Sequence, residues 1–156
     1  MTNLMQAKVE AGQVFQEEEF QVVAFQLGRE EYAVDILNVM EINRLLDITR
    51  VPRAGENIEG VVNLRGNIIP IINLHKRFNL KSNGNEEEKR IIVFQFDDFK
   101  VGIIVDEVSE VLRLHTRDIE PTSQVYHSMS AEHIKGIAKV GDRLLILLDL
   151  TKILES

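Results

Sequence analysis

The paired carboxylates and the histidines are the side chains of this sequence that could perform acid–base or metal chemistry. His127 and His133 lie six residues apart with no third ligand nearby, which does not indicate a metal site. Asp97-Asp98 and Asp106-Glu107 follow predicted strands, where carboxylates favour solvated turns over the water-poor cleft that catalysis needs. We therefore expect no enzyme, no cofactor and no metal. A hydrolase that uses His127 or His133 with a carboxylate is the minor alternative.

Arg65 is the sharpest single candidate for binding. It is the only charge between Val61 and Pro70, in a run that reads as two apolar strands joined by a turn in which Gly66-Asn67 suits positive φ. An exposed turn arginine is commonplace, but a guanidinium on a rigid hairpin can anchor a partner's carboxylate. In the same hairpin, Gly60 either forms a bulge or allows a partner's backbone to approach.

Glu41 and Glu110 each lie among apolar residues of a predicted strand. Such a glutamate is usually a solvent-facing residue on a half-buried strand. The alternative is that it supplies charge at the edge of a groove beside apolar contacts.

The elements that carry these residues occur twice. Val22–Ile42 aligns without a gap with Ile91–Val111 (a shift of 91 − 22 = 69 residues), and Ile58–Phe78 aligns with Ile134–Leu154 (a shift of 134 − 58 = 76). About half of the aligned pairs are apolar on both sides, which indicates internal duplication. Chance likeness between two β-rich segments is the alternative.

Each copy predicts five short strands and one short helix, too few strands for a sandwich but enough for a small closed barrel. We therefore predict a mostly β fold of two five-stranded barrels around a shared hydrophobic core. Residues 1–19 are expected to be a flexible tail, and 81–89 a connecting loop. The first barrel is expected to consist mainly of residues 20–80 and the second mainly of residues 90–154. The first copy predicts strands Phe20–Leu27, Tyr32–Ile36 and Val39–Ile42, two strands around Gly60 and a helix Leu74–Phe78; the second predicts Arg90–Phe96, Val101–Val105 and Val108–Val111, two strands around Gly136 and a helix Leu150–Leu154.

Composition narrows the class of partner. The 156 residues carry a net charge of −7, which disfavours nucleic acid and anionic membrane surfaces. There is no cysteine, no signal peptide and no apolar run that could span a membrane, so we expect a cytoplasmic protein. A small-barrel binder of nucleic acid or oligosaccharide of the OB type is the alternative, although 6% aromatic residues and the negative charge disfavour it.

Three segments resemble the CheW-like domain family of chemotaxis coupling proteins. They are Glu31–Ile42 (EYAVDILNVMEI), Gly60–Leu74 (GVVNLRGNIIPIINL) and Val101–Leu112 (VGIIVDEVSEVL), in the family's order and spacing. The resemblance covers about Phe20 to Leu154. It implies that the two barrels are SH3-like and that the protein is a non-catalytic adaptor.

The resemblance also implies partners and contact residues. The adaptor would join methyl-accepting chemotaxis receptors to the regulatory domain of the histidine kinase CheA, as a monomer when free and as a ring member in arrays. The valines would line a groove for the receptor's helical tip. Because the sequence shows neither an ATP-binding module nor a receiver, we expect a stand-alone adaptor. The positions tied to receptor or kinase contact are Val39, Glu41, Gly60, Arg65, Val108 and Val111.

Overall fold

The computed structural model describes residues 18–53, 55, 58–120 and 131–155, so the predicted tail lies almost wholly outside the described residues. The described residues are rich in strand and contain two short α-helices, as predicted. The strands are β1 (Glu19–Leu27), β2 (Glu30–Asp35), β3 (Val39–Arg44), β4 (Ile58–Leu64), β5 (Asn67–Ile72), β6 (Arg90–Phe96), β7 (Phe99–Val105), β8 (Glu107–His115), β9 (Ile119–Glu120), β10 (Ile134–Val140) and β11 (Arg143–Leu148); the α-helices are α1 (Leu74–Arg77) and α2 (Leu150–Glu155).

The strands form two sheets whose orders match through the repeat. One sheet runs β3-β6-β7-β5-β4 and the other β8-β1-β2-β11-β10-β9. Replacing each strand of the first sheet by its repeat equivalent gives the second, apart from the two-residue β9. Even β9 has a counterpart, since the isolated bridge between Thr49 and Val61 corresponds to the pairing of Glu120 with Ile137. Internal duplication therefore accounts for the topology.

The barrels predicted mainly at 20–80 and 90–154 each take one hairpin from the other part of the chain. The hairpin β1–β2 pairs with β8 and β11, and the hairpin β6–β7 pairs with β3 and β5. Each copy has thus exchanged its first hairpin with the other. Periodicity identifies strands but does not say which strands pair, and the two hairpins are similar enough to fit either sheet.

Three apolar clusters fill the molecule, one inside each sheet and one between the sheets. The alternate residues of β1 show why: Val22 and Ala24 enter one sheet's own core, whereas Val23 and Phe25 enter the central cluster. In β6, Ile91 and Val93 line the other sheet's core and Ile92 and Phe94 enter the central cluster. Both central strands are buried on both faces, which explains their unbroken apolar runs.

Asp106 corrects the prediction of a solvated turn, because it is only 2% exposed. Its Oδ2 accepts hydrogen bonds from the backbone N–H of Gly28 (2.8 Å) and of Asn83 (3.2 Å), and Oδ1 accepts from the Ser82 hydroxyl (2.8 Å). Nε2 of His75 lies 3.1 Å from Oδ2 and donates to the ionised carboxylate. One carboxylate therefore joins the β1–β2 turn, α1 and the 81–89 connection.

Burial acts to raise the pKa of the Asp106 carboxyl, but the hydrogen bonds from Gly28, His75 and Ser82 outweigh it and hold that pKa below its usual range. A buried, fully bonded anion stabilises this junction only while it stays ionised.

Candidate interaction surface

The β4–β5 turn presents Arg65 to solvent at a backbone cost. Arg65 (φ 52°) and Gly66 (φ 88°) are the two central residues, which is the positive-φ pattern of a tight hairpin turn. Asn67, which was expected in the turn, instead begins β5. The Asn63 side chain closes the turn by accepting from the Gly66 N–H at 2.9 Å. A non-glycine residue in this conformation is strained, so the turn holds Arg65 at some expense of stability.

Glu41 and Arg65 form an ion pair that joins the two edges of the sheet β3-β6-β7-β5-β4. Glu41 lies on β3 and Arg65 beside β4, the two edge strands of that sheet, so the pair connects opposite edges. The side chain of Arg65 is 68% exposed and that of Glu41 is 21% exposed. Asn43 donates to the other carboxylate oxygen at 3.3 Å. Glu41 is therefore not a free solvent-facing strand residue, and most of the guanidinium remains available to a partner.

The second sheet has an equivalent pair from a different tip position. Arg143 donates to Glu110 at 2.6 Å, and to both oxygens of Glu31 at 3.1 and 2.7 Å. Glu110 is the repeat equivalent of Glu41, but Arg143 is the equivalent of Asn67, not of Arg65. These hydrogen bonds raise the pKa of the Arg143 guanidinium, so the group is charged at every pH at which the protein is folded.

The fold explains why residue 60 is a glycine. A Cβ at this position would overlap the backbone carbonyl of Thr49 and lie 2.7 Å from Cγ2 of Ile48. The register of β4 against β5 shifts at the same point, between Ile58 and Gly60. The bulge interpretation is therefore confirmed, and the backbone that approaches Gly60 is the chain's own.

The three predicted valines on β3 and β8 differ in how deeply they are buried. Val39 and Val108 are half-buried and pack against the central cluster. Both strands bulge directly after these valines, at Met40 and at its repeat equivalent Ser109. Val111 is 48% exposed. Among the six predicted site residues, a direct contact joins Glu41 and Arg65, and the central cluster joins Val39 and Val108.

Exposed apolar residues lie at equivalent places on the two sheets, and sequence reasoning missed all of them except Val111. Ile42 (38% exposed) corresponds to Val111, and Ile68 (63%) corresponds to Leu144 (57%). The repeat alignment contained the signal, since apolar residues recur at both pairs of positions. Each sheet therefore shows exposed apolar side chains together with a Glu–Arg pair, which is the composition of a protein-binding surface.

Two kinds of feature are absent from the described residues: a metal site and a membrane-spanning helix. In the part of the chain that the structure describes, no three His, Asp or Glu side chains gather in a way that could hold a metal ion. No helix within the described ranges is long and apolar enough to cross a membrane.

A double barrel with exposed apolar side chains and a Glu–Arg pair on each barrel indicates a protein-interaction module of the scaffold class. The chain belongs to the CheW-like domain family, whose family model matches residues 21–156.

Individual relatives agree over most of their length. The chemotaxis protein CheW of Treponema pallidum is 40% identical over 144 residues, which is 90% of this chain and 85% of that protein. That of Klebsiella aerogenes is 41% identical over 132 residues, covering 85% and 80%. The crystal structure of the scaffolding protein TtCheW from Thermoanaerobacter tengcongensis superposes with a TM-score of 0.78 at 38% identity, covering 85% of this chain and 86% of that one.

These findings confirm the predicted family and the predicted fold of two SH3-like barrels. They support a chemotaxis adaptor of the scaffold kind, and they give no support to the OB-type alternative.

Proposed function

We propose that this protein is a non-catalytic cytoplasmic adaptor that couples methyl-accepting chemotaxis receptors to the histidine kinase CheA and helps to control its autophosphorylation. It acts as a monomer when free and as a ring member in receptor arrays. The observation that carries the proposal is the recurrence of one surface on both barrels, in a chain whose relatives are chemotaxis proteins. An adaptor needs two binding surfaces, and a duplicated barrel supplies them.

The two surfaces are similar in architecture and different in detail. The Glu41–Arg65 pair leaves an exposed guanidinium on the first barrel, whereas Arg143 on the second is held by the carboxylates of Glu31 and Glu110. A partner that contacts the first surface meets a cation that can still form new hydrogen bonds. A partner at the second meets a guanidinium that already donates three hydrogen bonds to Glu31 and Glu110. This difference lets the two barrels select different partners.

Val39 and Val108 contribute differently from Val111 in this proposal. Because both pack against the central cluster, they shape the floor between the barrels and present only part of their surface to a receptor helix. Gly60 acts indirectly by setting the bulge in the β4–β5 hairpin that carries Arg65.

The direct test is co-sedimentation with receptor-bearing membranes, with and without CheA. The wild-type protein should sediment with receptors and sediment more fully when the kinase is added. A matched pair of variants, Ile42→Asp and Val111→Asp, places one new charge on an exposed residue of each barrel. We expect each variant to lose one of the two interactions, while Val51→Asp, at an exposed position away from the strands, loses neither. Wild-type protein that stays in the supernatant under both conditions overturns the proposal.

A further inference from the structure

A groove of about 880 Å³ lies between α2 and the β6–β7 turn. Its apolar wall is formed by Phe96, Phe99 and Leu154, with the two phenylalanine rings stacked at 5.2 Å. Phe99 is 47% exposed, which is unusual for so large an apolar side chain. The groove belongs to neither the Glu41–Arg65 surface nor its equivalent on the other barrel.

The repeat provides this groove with a filled counterpart. The β6–β7 turn corresponds to the β1–β2 turn and α2 corresponds to α1. After α1 the chain runs across the β1–β2 turn, where Leu80 Cβ and Lys81 O lie 3.6 and 3.3 Å from the place that a Cβ on Gly28 would take. Leu80 packs against the central cluster, and the Asn83 amide donates to the Gly28 carbonyl at 3.4 Å. In the first copy, an extended segment of the chain itself occupies the site.

The second copy supplies no such segment among the described residues. Beside α2, whose last residue Glu155 is the equivalent of Asn79, the groove lined by Phe96, Phe99 and Leu154 is open. The turn itself also differs, because Asp97-Asp98 stands where the first copy has Gly28-Arg29. The open groove therefore combines an aromatic wall with three exposed carboxylates, those of Asp97, Asp98 and Glu155.

We propose that this groove is a docking site for an extended segment of a partner protein in which an apolar residue is followed by lysine or arginine. The apolar residue takes the place that Leu80 has in the filled counterpart and packs against Phe96 and Phe99. The following cation faces the carboxylates of the β6–β7 turn, in accord with charge complementarity at interfaces. The first copy's own segment has this order, Leu80 then Lys81. The proposal does not depend on which proteins bind the two barrel surfaces.

The test is a titration followed by amide NMR of the full chain, with a blocked seven-residue peptide that copies Arg77–Asn83 (Arg-Phe-Asn-Leu-Lys-Ser-Asn) as the probe. We expect saturable shifts confined to residues 95–99 and 151–155, with a dissociation constant on the order of millimolar because so short a segment buries little surface. A peptide with serine in place of its leucine, or with glutamate in place of its lysine, should bind at least about threefold more weakly.

Variants of the protein distinguish binding of the peptide in the groove from nonspecific electrostatic attraction to the acidic protein. Asp97→Lys should weaken binding of the probe by at least about threefold, and Phe99→Ser should weaken it independently of charge. Asp142→Lys makes the same change of charge at an exposed turn outside the groove and should leave binding unchanged. The proposal is overturned by shifts that never saturate, by shifts at other residues, by equal binding of the glutamate peptide, or by equal weakening in Asp97→Lys and Asp142→Lys.

Discussion

Gly60 and Gly136 occupy the same place in the two barrels and are required there for the same steric reason. A Cβ on Gly136 would lie 2.5 Å from Cγ2 of Ile119 and 2.9 Å from the carbonyl oxygen of Glu120. A Cβ on Gly60 would meet the equivalent segment, the carbonyl of Thr49. Both glycines also sit at a register shift in their hairpins. They are therefore structural, and a loss of function on mutating Gly60 would come through the fold.

The first prediction follows from this equivalence. Gly60→Ala and Gly136→Ala should each lower the free energy of unfolding by about 1–3 kcal/mol, because the neighbouring backbone must move to admit a methyl group. Chemical denaturation would measure the loss. Gly55→Ala is the matched control, since no atom lies within 4 Å of the place that a Cβ would take there, and it should change stability little. A neutral Gly60→Ala variant with weakened partner binding would restore Gly60 as a contact residue.

The strands could be predicted from sequence to within a few residues, but their partners could not. The apolar runs of β1 and β6 show that strands exist there, yet each fits the same position in either sheet because the two copies are alike. Sheet pairing depends on contacts between distant residues, and period-2 patterning contains no information about them.

The candidate site could be predicted only in part. The sequence singles out both Glu41 and Arg65, but not their pairing across 24 residues. The repeat alignment does not indicate the role of Arg143, because Arg143 aligns with Asn67 and not with Arg65. Asp106 is expected on the surface because a carboxylate after a strand is usually solvated, and its burial depends on donors from three distant segments.

Arg65 gives the second prediction, in which stability and binding separate. Arg65→Ala should change the free energy of unfolding by less than about 1 kcal/mol, because the ion pair with Glu41 is largely exposed. Arg65→Gly loses the same ion pair but relieves the positive φ, so it should be more stable than Arg65→Ala by up to about 1 kcal/mol. Thermal melts would check this order.

Both Arg65 variants should bind partners more weakly to a similar extent, because both lack the guanidinium. Co-sedimentation with receptors and kinase measures that loss. Weak binding by Arg65→Ala alone would mean that turn conformation, and not the guanidinium, governs recognition.

Val108 and Val111 provide the third prediction because they differ in burial on the same strand. Val108→Asp should destabilise the fold by roughly 2–4 kcal/mol, since it places a charge against the central cluster. Val111→Asp should change stability by about 1 kcal/mol or less, because Val111 is 48% exposed. Reduced partner binding by Val111→Asp at a near-normal melting temperature would assign β8 to an interface. Equal loss of stability in both variants would contradict the burial difference.

Asp106 gives the fourth prediction, a pH dependence of stability. The folded-state pKa of its carboxyl is lowered, so between the folded pKa and the unfolded value of about 3.9 the unfolded state binds more protons. Stability from this group is therefore fully present above about pH 4 and is lost as pH falls through the folded pKa. Asp106→Asn should lose roughly 2–4 kcal/mol at neutral pH, because the amide cannot accept the bonds from Gly28, Asn83 and His75 together.

The pH dependence of stability shows whether Asp106 stabilises the junction through its negative charge or only through its shape. The difference in unfolding free energy between wild type and Asp106→Asn should shrink as pH falls below about 4, because the wild type then loses the same ionised acceptor. Glu59 is the matched comparison: a hydrogen bond from Asn73 is the main cause that lowers its pKa, so wild type and Glu59→Gln should also converge in acid. Glu59 bonds to Asn73 and Lys76 at α1, whereas Asp106 bonds directly to Ser82 and Asn83. The Glu59 variant should therefore leave the amide NMR signals of residues 81–83 unshifted, and Asp106→Asn should shift them. A difference for Asp106→Asn that stays constant from neutral to acidic pH would show that shape, and not charge, holds the junction.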